Sequence, residues 1–342
     1  MEMLNSMLLS FDLWAWILGG FSKWIINYGW MIIVFTIILK LVMTPLDVYQ
    51  RISSKKQARI SSIMQPEMQA LQQKYGNDRE RLNQESAKLY KKYNINMGGM
   101  CLSMLLTLGL SLVVFFTLFS SLRKVGNVKL AESYRSLDNV AIDASAGKEF
   151  STLTEDELAD LTVDIKAEYE NVKDANSWLW VKNVWKSDTN TSQFISFDNY
   201  VSFYNIADGD KEEARKRYDF ITKTIDGEKQ ASNGYYILMI LAVAVSFLSQ
   251  LISTKLLAPK GQKLNTMNKV MMVIIPLSML FFVMSSNAVF ALYIIVNSIM
   301  TTLISTVITF IMNKMDKGKS DEEIILSKKK VEVVEYSRNY KK

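Results

Sequence analysis

The chain has 342 residues, 40 Lys plus Arg against 34 Asp plus Glu, and a formal charge of +6. Its residues are 49% hydrophobic yet 22% charged, which excludes an ordinary soluble domain and fits membrane spans joined by polar segments. It has no histidine and one cysteine, Cys101, so the commonest general base and metal ligand are missing and no internal disulfide can form.

Residues 1–27 begin with Glu2 rather than a basic cluster and show no small-x-small cleavage pattern, so they do not read as a signal peptide. Phe11, Trp14, Trp16, Phe21 and Trp24 instead mark an interfacial aromatic segment leading into the membrane. Five segments are apolar enough to cross about 30 Å of hydrocarbon. Span one is expected at 28–46, span two at 100–122 and span three at 235–257. The stretch 270–312 is too long for one helix, and the polar SSNA at 285–288 divides it into spans four and five.

Between the spans, 47–99 reads as a helical hairpin. Ile60, Ile63, Met64, Met68 and Leu71 recur at helical spacing, KYGND at 74–78 makes the turn, and Leu82, Leu89 and Tyr90 mark the second arm. Segment 123–234 is long enough for a small domain or helical cap, with an aromatic cluster WLWVKNVW at 178–185. It contains no phosphate loop and no metal-ligand cluster. The NTS at 190–192 matches a glycosylation acceptor, a pattern short enough to arise by chance.

Flanking cations set the orientation. Ten Lys or Arg lie in 47–99, and the short link 258–269 with the end of span three holds Lys255, Lys260, Lys263 and Lys269 without an acid. The tail 313–342 is also basic, whereas 123–234 carries 21 acidic against 15 basic residues. These counts place the N-terminus and 123–234 outside, and the hairpin, link and tail in the cytoplasm.

Polar residues inside the spans fall four apart, which puts them on single helix faces. Thr36, Lys40 and Thr44 share span one; Ser103, Thr107 and Ser111 share span two. Ser246, Gln250 and Thr254 share span three, and Asn297, Thr301 and Ser305 share span five. Hydroxyls of this kind commonly join helices or bond their own backbone, and Lys40 is near enough to Pro45 to snorkel to the interface. Alternatively, the stripes converge on one wet cavity open to the cytoplasm. An ionisable residue at such depth is a functional candidate. A Ser–Lys dyad would need a dry, neutral lysine, which a wet cavity opposes, so the chain does not read as an enzyme and no cofactor is expected.

Several features, in order, resemble the YidC/Oxa-type family of membrane protein insertases. They are IILKLVMTPL, the hairpin QPEMQALQQKYGNDRERLNQESAKLYKKYNIN, GGMCLSML, WLWVKNVWKSD, and the closing MNKVMMVIIPLSMLFF with ALYIIVN. The resemblance covers about 28–122 and 177–312. It implies an all-α polytopic membrane protein. The expected fold is a five-span bundle with a cytoplasmic helical hairpin and an enlarged extracellular loop between spans two and three. It also implies a hydrophilic substrate groove lined by Lys40, Thr36, Thr44, Ser103, Thr107, Ser246, Gln250, Asn297 and Thr301. The family's groove cation is usually arginine, so Lys40 is its counterpart. Gln250 matches the family's polar position in span three. Tyr293 is kept, Ile294 replaces an aromatic, and Asn96-Met97 and Leu102-Ser103 depart from the usual proline pairs. Some relatives are lipoproteins; no cysteine occurs near residue 1 here, so that anchor is not expected.

The implied function is insertion and folding of nascent proteins in a bacterial cell membrane. The implied partners are nascent membrane proteins, the ribosome through the basic tail, the Sec translocon and anionic lipids. A small-solute transporter or channel with a polar midplane cavity is the alternative reading.

Overall fold

The computed structural model describes residues 13–92, 97–145, 147–187, 194–226, 233–234, 236–257 and 266–316. Among them the regular elements are helices, with a single isolated bridge between Trp178 and Val181. In chain order the α-helices are α1 Leu13–Ser22, α2 Tyr28–Tyr75, α3 Arg79–Lys92, α4 Met97–Ser145 and α5 Glu155–Asn176. They continue as α6 Phe197–Tyr204, α7 Lys211–Asp226, α8 Ile237–Leu257, α9 Thr266–Met284 and α10 Ala288–Met315. Among the described residues, four stretches are long and apolar enough to cross a membrane: Tyr28–Ile60, Gly109–Ser145, Ile237–Leu256 and Ala288–Met315. The chain is thus an all-helical, multi-pass membrane protein.

Two helices run past the expected boundaries. α2 continues from the first expected span into the first arm of the hairpin, through Pro45 and Pro66. Each proline removes one backbone donor, and hydroxyls near both sites bond backbone carbonyls. Thr44 Oγ1 donates to the Lys40 carbonyl at 2.9 Å and Ser62 Oγ to the Arg59 carbonyl at 2.7 Å. α4 likewise carries span two on to Ser145 without a break. The composition turns polar near residue 123, but no proline interrupts 100–145, so a change of environment is not a change of backbone.

Residues group into two compact units: 1–39 with 114–247 and 274–298, and 40–113 with 248–273 and 299–342. In the first unit, the early aromatic segment forms α1. Trp14 and Phe21 meet Phe35 edge-on at 6.2 and 5.9 Å, and Trp14 Nε1 donates to Thr117 Oγ1 at 2.9 Å. Asn27 caps α2, its Oδ1 accepting from the Gly29 and Trp30 amides. The same side chain donates to the Asp174 and Ser177 carbonyls. Phe115, Phe119, Phe282 and Phe290 interlock beneath.

The described parts of 123–226, a segment the sequence left as a small domain or a helical cap, are mainly helical. The polar half of α4 packs with α5, α6 and α7 around Leu137, Ala141, Leu161, Ile165 and Ile221. Asp138 is fully buried at its centre. It accepts from Tyr200 Oη at 2.6 Å and Arg217 Nε at 2.8 Å, with Arg135 Nη1 at 3.4 Å. Burial and the bond to Asp138 push the Tyr200 phenol above its ordinary range. α5 opens with a capping box, Thr154 and Glu157 exchanging side-chain to backbone bonds.

The residues 178–187 link this cap to α10. Trp178 and Val181 exchange backbone bonds around a two-residue turn, with Leu179 at φ 52°. The Val184 and Lys186 carbonyls then accept the Val289 and Ala288 amides at 2.9 and 2.8 Å. Asn287 Oδ1 caps the same helix through the Phe290 amide, and its Nδ2 donates to the Leu122 carbonyl at 2.9 Å. The SSNA break is therefore real, and it is a cap.

In the second unit, the end of α2 and α3 form a hairpin whose small core is Ile60, Met64 and Leu89, flanked by Met68, Leu71 and Tyr90. Asp78 caps α3 through the Arg81 amide at 3.0 Å. The NTS motif, the link 258–265 and the tail after 316 lie outside the described residues.

Two outcomes test this packing. A Cβ at Gly126 would stand 2.7 Å from Asn287 Nδ2. Gly126→Ala displaces that amide and lowers thermal stability in detergent by about 1 kcal/mol, the overpacking cost exceeding the gain in helix propensity. The Thr154 amide and Lys148 hold the Glu157 carboxyl down at about 2. Its contribution is present above about 4.5 and is lost as pH falls toward 2. The stability gap between wild type and Glu157→Gln therefore closes across that window.

Candidate functional site

The polar residues of the apolar helices divide between the two units: Thr36, Ser246 and Asn297 in the first; Lys40, Thr44, Ser103, Thr107, Gln250 and Thr301 in the second. Thr36 is buried and donates to the Ile32 carbonyl of its own helix at 2.6 Å. Ser246 meets Ser298 Oγ across α8 and α10 at 3.2 Å. Asn297 is half-buried on α10.

In the second unit, Thr44 and Thr254 turn to their own backbones, bonding the Lys40 and Gln250 carbonyls. Gln250 and Thr301 are half-buried. Thr302 Oγ1 donates to Ser249 Oγ at 2.6 Å, a second hydroxyl bridge between α8 and α10. Such bonds join helices where apolar packing alone has no water to escape from. The partners on α10 are Ser298 and Thr302, each one residue beyond the stripe read from the sequence. A spacing of four marks a face but not its rotation. The side chains of Ser103 and Thr107 lie outside the described residues, as does that of Cys101.

Lys40 does not stand alone. Its Nζ is 2.8 Å from Asp47 Oδ2, with side-chain exposures of 12% and 23%. Residues seven apart lie on one face, two turns along, and Asp47 is the first charged residue beyond the apolar run that holds Lys40. A bare cation at that depth costs about 2.5–3.5 kcal/mol; the ion pair offsets part of that.

A second set of charges was visible in the sequence only as an orientation signal. Arg51, Lys55 and Arg59 repeat at four, and they find Thr309 and Asn313 on α10 and Asp316 just past its end. Arg51 is 8% exposed; its Nε donates to Thr309 Oγ1 at 3.1 Å and its Nη atoms lie 3.4 Å from the Ser253 carbonyl. Lys55 Nζ donates to Asn313 Oδ1 at 2.6 Å, and Arg59 Nη2 to Asp316 Oδ2 at 2.6 Å. Arg51 thus joins α2, α8 and α10. The matching repeat of cations at 51, 55 and 59 with polar residues at 309, 313 and 316 was the available clue. Among the described residues no group of His, Cys, Asp and Glu could hold a metal ion.

Comparison with known proteins bears on this arrangement. The model of the 60Kd inner membrane protein family matches residues 20–317. Over 102 residues the chain is 42% identical to a protein of Clostridium tetani named membrane protein insertase YidC, covering 30% of this chain and 44% of that one. The protein of the same name from Fusobacterium nucleatum is 35% identical over 109 residues, 32% of this chain and 49% of its own length. That from Stutzerimonas stutzeri is 37% identical over 106 residues, 31% and 18%. The chain spans less than half the length of each of these relatives.

Arg51 supplies a direct test. Arg51→Ala removes charge-assisted bonds to two helices and lowers thermal stability in detergent by about 1.5–3 kcal/mol. Arg51→Lys keeps the charge without the fork and recovers part of the loss.

Proposed function

We propose that this chain, which belongs to the 60Kd inner membrane protein family, inserts nascent proteins into a bacterial cell membrane and helps them fold there. The family match over 20–317 carries the reading. In this reading α9 completes a five-span bundle, the N-terminus and cap lie outside, and the hairpin and tail face the cytoplasm. Lys40 is the cation of a groove open to cytoplasm and lipid.

The energies allow insertion without a chemical fuel. A substrate helix of about 20 apolar residues at −0.3 to −0.6 kcal/mol each gains roughly 6–12 kcal/mol on entering the bilayer. The barrier is the polar tail, each charge of which costs a few kcal/mol in hydrocarbon. A wet groove shortens the dry path, and Lys40 draws acidic groups of the tail inward. The membrane potential, negative inside, then favours their exit by about 2.3 kcal/mol per charge per 100 mV. The ribosome, the Sec translocon and anionic lipids are the expected partners, the first and last met by the basic tail and hairpin.

The test is complementation in cells depleted of their own insertase, following a short single-span substrate with an acidic outer tail. Lys40→Arg supports insertion, whereas Lys40→Ala and Lys40→Glu reduce it at equal expression. Full activity of Lys40→Ala would remove the cation from the mechanism.

A further inference from the structure

The Lys40–Asp47 pair raises a question that the groove reading does not answer. A cation meant to attract substrate carboxylates already has one. Nζ and Oδ2 are 2.8 Å apart, on one helix and within one unit. The nearby cations of that unit have partners elsewhere: Arg51 on Thr309 and Ser253, Lys55 on Asn313, and Arg59 on Asp316. Asp47 and Lys40 are therefore matched to each other.

The geometry favours this pairing and also its exchange. Side chains on a helix lean toward its N-terminus, so Asp47 leans back toward the apolar run and the long lysine stem bends forward to meet it. Lys40 lies within the apolar run 31–46, and Asp47 just beyond it, followed by Gln50 and Arg51. The cation is fixed in the run at 12% exposure, while the carboxylate, just beyond the run, is the more exposed of the two at 23%. A free lysine here would carry the full desolvation cost. A paired lysine that trades one carboxylate for another never does.

We propose that Asp47 is a built-in counter-ion that stands in for the substrate. Without substrate it neutralises Lys40. An acidic group of a translocating tail displaces it, and Asp47 returns to the aqueous edge until the tail has passed. Asp47 thereby sets how acidic a tail must be to engage the groove, and is a specificity-determining residue rather than a packing one. This rests on the insertase reading of Lys40.

The experiment uses the full chain in proteoliposomes with one single-span substrate carrying zero, one or two aspartates in its outer tail. The quantity measured is the ratio of acidic-tail to neutral-tail insertion, which cancels differences in the amount of folded protein. Asp47→Asn raises the ratio for the one-aspartate tail about fivefold, the factor expected when a partly exposed competing ion pair is removed. Asp47→Glu keeps the wild-type ratio. The exchange Lys40→Asp with Asp47→Lys keeps a pair but moves the cation out of the apolar run, and abolishes discrimination even if Asp47→Asn folds poorly. A ratio unmoved by Asp47→Asn, or preserved in the exchanged pair, overturns the role of Asp47. Failure of wild type to insert any of the three tails overturns the insertase reading beneath it.

Discussion

The first backbone N–H groups of a helix have no partners within it, and at Ala288 that deficit falls amid buried residues. Positions 286–294 are all buried, so water does not supply the missing acceptors. Three things supply them: the carbonyls of Lys186 and Val184, and the side chain of Asn287. The requirement explains much of the first unit. Residues 178–187 must approach α10 closely, so Trp178 lies where a Cβ at Gly29 would overlap its ring, and Asn287 lies where a Cβ at Gly126 would crowd its amide. Buried Asn233 holds the segment by exchanging bonds with Asn183.

The same constraint governs charge. Every cation singled out on the long helix α2 is paired: Lys40 with Asp47, Arg51 with Thr309 and the Ser253 carbonyl, Lys55 with Asn313, and Arg59 with Asp316. Removing water makes an unpartnered charge costly and a partnered one informative. The three lower cations spend their bonds on joining helices. Lys40 alone is paired within its own helix, so its partner can leave without parting two helices.

The hydroxyl stripes show how far spacing carries. Intervals of four place polar residues on one face each of α2, α8 and α10. The hydroxyl bridges from α10 to Ser246 and Ser249 of α8 are made by Ser298 and Thr302, each one residue from the stripe drawn through Asn297 and Thr301. Thr36, Thr44 and Thr254 satisfy themselves on their own helices. Spacing cannot separate these fates, because a threonine bonding its own carbonyl and one bonding a neighbour follow the same interval.

What the sequence determined by itself was local. Apolar run lengths marked four helices long and apolar enough to cross a membrane, SSNA marked a break, KYGND marked a turn, and the ordered motifs pointed to the family. Each rests on residues near one another in the chain. The tertiary structure decided what depends on distant partners. It made one helix of span and hairpin arm, folded 123–226 around Asp138, placed Lys186 over the start of α10, and set Arg51 against Thr309. It also chose Asp47 as the partner of Lys40. That pair is close in sequence, yet seven-residue spacing only permits the contact; a partly buried cation with no other anion assigned to it is what makes the contact form.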